Sequence, residues 1–198
     1  MTPPRTGRPR EFDIDVALEQ VMEAFWERGY EATTVADLME ATGLQKGSLY
    51  KAFGDKHSLY VASLKLYLEQ TAQSSRACLR TEGSPREALE QWFEFATGGC
   101  SRDGGRGCFG VNALVELGNL DEEVTRLVDG QFRLLGKLFA EVIARGQSLG
   151  EFRTDTPAQE LADFLGVFLS GLNAKARGPL PRSRAKRLIA SALAALDA

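Results

Sequence analysis

Apolar residues recur at helical spacing along most of this chain, and no useful stretch alternates at strand spacing. From Asp13 to about Arg28, Ile14, Leu18, Val21, Met22 and Phe25 follow i, i+4, i+7, i+8 and i+11, which predicts one amphipathic helix. Thr34 caps a second, shorter helix, and Asp37 three residues on completes a Thr-x-x-Asp form of the capping box. Val35, Leu38 and Met39 share the inner face of that helix, and Gly43 supplies the turn after it. Leu49 and Phe53, four apart, anchor a third helix and leave Gln45, Lys46, Ser48, Tyr50 and Lys51 facing outward. Two short helices around a tight turn, the second with a small, polar and basic free face, are the anatomy of a helix-turn-helix, whose second helix enters the DNA major groove.

Asp55 caps a fourth helix from Lys56 to about Leu79, longer than that unit needs and therefore a link to the rest. Ser84-Pro85-Arg86-Glu87 is a strong start signal for a helix to about Thr97. The glycine-rich run 98–107 reads as a flexible loop. A short apolar helix follows from Cys108 to Leu117. Asp121 caps a long one through Val124, Leu127, Val128, Leu135, Leu138, Phe139 and Val142, ending near Gly146 to Gly150. Thr156-Pro157-Ala158-Gln159 reads as a further capping box, opening a helix to about Ala176. Residues 178–181 break the chain, and Ser183 to Leu196 form a last amphipathic helix. The expected fold is all-α with about nine helices. The segment from Gln159 to Ala174 is apolar on most faces and must be buried on more than one side, either in a subunit core or against a second chain.

Composition changes this picture little. Hydrophobic residues make up 43% and charged residues 26%, as in soluble globular proteins. No leader peptide and no apolar run of membrane-spanning length is evident, and three cysteines suit a reducing compartment, so a cytoplasmic location is expected. The net charge of −3 argues weakly against nucleic acid, and the first 56 residues hold 7 Lys+Arg against 10 Asp+Glu. Distribution matters more than the sum. The acids Asp13, Asp15, Glu19, Glu23 and Glu27 lie on the first helix, away from its apolar stripe. Arg5, Arg8 and Arg10 sit in an amino-terminal arm, and Lys46, Lys51 and Lys56 in or beside the third helix, where Asp55 is the one acid between Gln45 and Lys56. Local positive charge is what phosphate binding requires.

The runs Gly29 to Val35, Ala41 to Leu44 and Lys46 to Lys56 (KGSLYKAFGDK) resemble the amino-terminal domain of TetR-family transcriptional repressors over roughly residues 10–67. The resemblance implies a basic arm at 1–10, a helix-turn-helix DNA-binding domain at 11–56, and a helical sensing and dimerisation domain at 57–198 whose linker helix spans about 56–79. It places Thr34, Tyr50 and Lys56 on phosphates. A lysine at the positive end of a helix also fits a phosphate partner better than a stabilising role. Base reading falls to Gln45, Lys46, Ser48 and Lys51, with Gly47 permitting close backbone approach. Arg8 and Arg10 read either as a minor-groove arm or as an ordinary chain terminus. The family pairs its last two long helices with a twin subunit, here about 157–176 and 183–196. Two recognition helices would then meet a near-palindromic double-stranded operator about one turn (~34 Å) or a multiple apart. The resemblance implies a homodimeric repressor released by a small-molecule or reactive-species inducer. An all-α ligand-binding or protein-interaction module without specific DNA binding is the alternative that the acidic charge keeps open.

The segment Arg106 to Leu117 resembles a Gly-Cys-…-Asn-…-Glu pattern of one TetR subgroup, in which some members respond to electrophiles or oxidants through cysteine. Cys108 stands at a helix start beside Arg106, two features that favour thiolate, with Cys100 as a resolving partner. The other reading of Cys108 is a small buried apolar residue, the common fate of cysteine. Asn112 and Glu116, one turn apart, fit either polar groups of a pocket or ties between neighbouring helix ends. Trp92, Phe93, Phe95, Phe109, Phe132, Phe139, Phe164 and Phe168 either line an apolar pocket or form the core. His57 is expected to be partly exposed and without a role. One histidine and scattered cysteines make no metal set, no catalytic constellation is visible, and no cofactor or membrane partner is expected.

Overall fold

Local capping chemistry starts most of the helices. In the computed structural model, which describes residues 13–98 and 105–197, the Asp13 carboxylate accepts from the amides of Asp15 and Val16 and opens α1 (Ile14–Arg28). Thr34 and Asp37 form the reciprocal capping box of α2 (Val35–Thr42), which ends at Gly43 in the left-handed region with φ 67. The turn leads into α3 (Lys46–Phe53). Asp55 accepts from the Ser58 amide at 2.7 Å and starts α4 (Lys56–Leu79). Ser84 accepts from Glu87 ahead of α5 (Pro85–Gly98), and Asp121 accepts from Glu123 and Val124 at the start of α7 (Glu122–Ser148). Between them lies α6 (Phe109–Leu117), and α8 (Ala158–Lys175) and α9 (Arg182–Ala194) complete nine helices among the described residues, with no strand.

Three expectations need correction. Ile14 is about half exposed, so the buried stripe of α1 runs through Ala17, Val21, Met22 and Phe25; no neighbouring helix covers its first turn. Thr156 does not cap α8. Its hydroxyl turns to the Asp155 carboxylate, its carbonyl accepts from Gln147, and Gln159 reaches forward to Asp163, so Pro157 holds the cap position without a side-chain bond. In α9 the cap position falls to Pro181, and the helix ends at Ala194 with Leu196 buried just beyond it.

The helices close on two apolar clusters. One joins α1, α2 and α3 to the first half of α4, and it also takes in Phe109, Ala113 and Leu117 of α6 and Val124 and Val128 of α7. The other unites the end of α4 with α5, the second half of α7, Phe152, α8 and α9. Thus α4 and α7 run as struts through both clusters, and α6 is built into the core of the first three helices. The buried face of α8 is Leu161, Ala162, Leu165, Leu169 and Leu172, while Phe164 and Val167 stay 45% and 75% exposed.

Candidate nucleic-acid interface and effector cavity

Leu38 of α2 and Leu49 of α3 are fully buried, and Phe53 packs half-buried on the same core. These anchors fix which face of α3 is free. Gln45, Lys46, Gly47 and Lys51 are exposed, and Ser48 and Tyr50 are half-buried. A Cβ built at Gly47 would meet no atom within 4 Å, so the backbone there is open to a close partner. The Lys46 ammonium lies 5.3 Å from the centre of the Tyr50 ring one turn on, which holds both polar tips on one face. Thr34 is exposed at the start of α2. Lys56 places its ammonium 4.5 Å over the Tyr30 ring. Gln45, Lys46, Gly47 and Lys51 are thus exposed at or on α3, with Thr34 exposed before α2 and Lys56 half-buried at the start of α4. Arg8, Arg10 and Cys100 lie outside the described residues.

The acids nearest that surface are Asp37, which bonds Thr34, and Asp55, which caps α4. The outer side of α1 and α2 forms an open groove of about 790 Å³ lined by Glu19, Glu23, Glu27, Asp37 and Glu40, a charge of the wrong sign for phosphate. Asp37 accepts from the Thr34 hydroxyl and amide and pairs with Arg28. Those bonds, the Thr34 hydroxyl first, hold its pKa down at about 2. Hydrogen bonds from Ser58 likewise lower Asp55, the acid nearest the basic face.

A second site lies where α1, α4, α5, α7 and α8 meet. A cavity of about 370 Å³ is walled by Met22, Glu23 and Trp26 of α1, Tyr67 and Thr71 of α4, Trp92 and Phe95 of α5, Gly107 and Cys108, and Leu135 and Leu169. The Tyr67 hydroxyl donates to the Cys108 sulfur at 3.3 Å. Burial, and then the neighbouring thiol, push the Tyr67 phenol well up, so it stays a donor. Of the sensor candidates, Trp92, Phe95 and Cys108 meet on this wall. Phe109 is instead buried in the first cluster, with its ring 5.5 Å from Tyr60 and 5.7 Å from Tyr67. Phe132 packs against that cluster, and Phe168 lies 6.0 Å from Phe93 in the other. Asn112 donates to the Arg106 carbonyl, and Glu116 accepts from the Tyr30 and Glu31 amides. Both tie helix ends.

Arg106 does not spend its charge on the thiol. Its guanidinium pairs with Glu23 and lies 4.1 Å over the Trp26 ring, whose indole N–H donates to the Gly107 carbonyl at 3.1 Å. His57 also has a partner: its Nε2 lies 2.5 Å from an oxygen of Asp121. Burial raises the Asp121 pKa, but the His57, Val124 and Glu123 hydrogen bonds outweigh it and leave the group lowered. Sequence reasoning missed Trp26, Tyr67 and Tyr30. The four-residue spacing of Met22 and Trp26 on α1 was the available signal for a second working face of that helix. Among the described residues no group of three or more His, Cys, Asp or Glu could hold a metal, and no helix is long and apolar enough to cross a membrane.

Comparison with known proteins gives the family of the chain. Residues 17–62 match the family described as bacterial regulatory proteins, tetR family, and residues 85–191 match the tetracyclin repressor-like C-terminal domain. The chain is 33% identical over 174 residues to the HTH-type transcriptional repressor ComR of Escherichia coli K12, covering 86% of this chain and 82% of that protein. The TetR family transcriptional regulator CifR, solved as a triple cysteine mutant with a 26 bp double-strand operator DNA, superimposes with a TM-score of 0.82 at 35% identity, over 96% of this chain and 100% of that one. E. coli NemR in its reduced form shares the fold, with a TM-score of 0.74 at 22% identity over 90% and 94% of the two chains. With its amino-terminal helices and its helical remainder both matched, the chain belongs to the TetR family of bacterial transcriptional regulators.

Proposed function

We propose that this protein is a homodimeric repressor that binds a near-palindromic operator through the α2–turn–α3 unit and releases it when the cavity beside Cys108 is filled or its thiol is modified. In this reading residues 11–56 bind DNA, residues 57–198 sense and dimerise, and α4 links the two. The observation that carries it is the free face of α3: Leu49 is buried, while Lys46, Gly47 and Lys51 stand clear of every apolar contact that holds the helix. Thr34, Tyr50 and Lys56 would take phosphates, and Gln45, Lys46, Ser48 and Lys51 would meet base edges. ComR is named a repressor and the CifR structure holds operator DNA, and both support the reading. The exposed Phe164 and Val167 of α8 with Leu188 of α9 offer the apolar face for a twin subunit.

The experiment is a gel shift with the DNA upstream of the protein's own gene, at two salt concentrations. Specific binding that weakens steeply with salt is expected. Lys46→Ala is expected to lose affinity and relax sequence preference, whereas Lys56→Gln loses affinity evenly across sequences. Salt-independent or nonspecific binding would sink the reading. In the same assay a quinone should release the wild type and not Cys108→Ser; equal release would remove the thiol from the mechanism and leave the cavity alone.

A further inference from the structure

We propose that Glu116 is a positioning residue for operator binding, holding the α1–α2 turn so that Tyr30 presents Lys56 to the phosphate backbone; this rests on the DNA-binding reading above. α6 is nine residues long and has one end at the cavity and the other at the first three helices. At the cavity end Cys108 is its cap residue, and Asn112 donates to the Arg106 carbonyl at 2.8 Å. One turn further on, the two Glu116 oxygens accept separately from the amides of Tyr30 and Glu31, each at 2.9 Å. Those amides belong to the turn that leads from α1 to the Thr34 cap of α2, and they lie outside any helix ladder.

The seat is shaped for a carboxylate. One oxygen per amide fixes its plane, and ionised acceptors make the stronger bonds. Gly29 has φ 88, which favours glycine, and a Cβ there would stand 2.8 Å from a Glu116 oxygen, so the carboxylate would have to leave its place. The residue whose backbone is held carries the functional group onward. Tyr30 packs its ring 4.9 Å from Tyr60 and lies beneath the Lys56 ammonium at 4.5 Å. The carboxylate thus fixes the ring, and the ring fixes the lysine. A shift of α6 at its cavity end reaches Lys56 through two hydrogen bonds and one cation–π contact, without passing along α4.

The test uses the full-length protein and a duplex that the wild type enriches from a random-sequence pool, titrated over a range of salt. Glu116→Gln keeps the size of the side chain but turns an N–H₂ toward one of the two amides. It is expected to weaken binding roughly ten-fold, the scale of one charged hydrogen bond. It should also reduce the salt slope by roughly 1.8, one phosphate for each half-site. Lys56→Gln should do the same, and the double variant should bind no worse than Lys56→Gln alone. Tyr30→Leu, which keeps both amides and removes the ring, should reproduce the loss of slope and serves if Glu116→Gln does not fold. Independent, multiplying effects of Glu116→Gln and Lys56→Gln would overturn the proposal, as would a wild-type salt slope in Tyr30→Leu. A pool from which the wild type enriches nothing would overturn the DNA reading itself, and this inference with it.

Discussion

Asp13, Asp37, Asp55 and Asp121 each accept backbone amides at the first turn of a helix, and the three that flank α2, α4 and α7 also draw on a side chain. Asp37 has the largest consequence for pH. Its folded pKa of about 2 lies below the unfolded value of about 3.9, so its stabilisation is complete above that value and fades as pH falls toward 2. The amides of α2 should lose exchange protection in that acid window while those of α1 keep theirs. Asp37→Asn should abolish the pH dependence, as carboxyl titration and hydrogen exchange by NMR would register. Thr34 and Asp37 were legible in the sequence because their partners lie three residues apart. His57 was not, because Asp121 is 64 residues away.

At the scale of elements, glycine acts in two different ways. Gly43 adopts φ 67 between α2 and α3, and a Cβ there would meet nothing within 4 Å. Gly43→Ala should therefore cost only the left-handed strain, about 1–2 kcal/mol, and shift the set of α3 against α2. Gly146 is the opposite case. It is helical, but its Cβ would fall 2.1 Å from the Phe152 ring, a fully buried side chain of the larger cluster. Gly146→Ala should cost about 1–3 kcal/mol through overpacking. Urea unfolding of the two variants would give the costs, and DNA binding should suffer out of proportion to stability for Gly43→Ala alone. The start of α8 shows how element boundaries escape a sequence pattern. Thr-Pro-Ala-Gln has the spacing of a capping box, but Gln147 of the preceding helix takes the carbonyls of Arg153 and Thr156 and sets the turn instead.

On the scale of the whole molecule, α4 and α7 run through both clusters, and contacts across the first helices and the remainder are polar as well as apolar. Glu116 on the Tyr30 and Glu31 amides, His57 on Asp121, and Trp26 on Gly107 tie them at separate points. Lys65 with Glu123 adds a half-exposed ion pair that contributes little by itself. The apolar side of α8 left open within one chain is expected to meet its twin. Val167→Glu, at a position 75% exposed in the subunit, should yield a folded monomer by sedimentation. Operator affinity should fall by orders of magnitude, because one body no longer spans both half-sites. A dimer of unchanged strength would place the interface elsewhere.

The sequence by itself determined the all-α class, the caps at Thr34, Asp55 and Asp121, the Gly43 turn and the outward residues of α3. Each of these is a relation between residues within about four positions, where helix geometry alone dictates who meets whom. Tertiary structure decided which aromatic residues face a cavity and which fill the core, where Arg106 spends its charge, and what Glu116 holds. Glu116 and Tyr30 are 86 residues apart, and Trp26 and Gly107 are 81 apart. Such distant pairs are chosen by how α1, α4, α6 and α7 pack together, and no local periodicity encodes that choice.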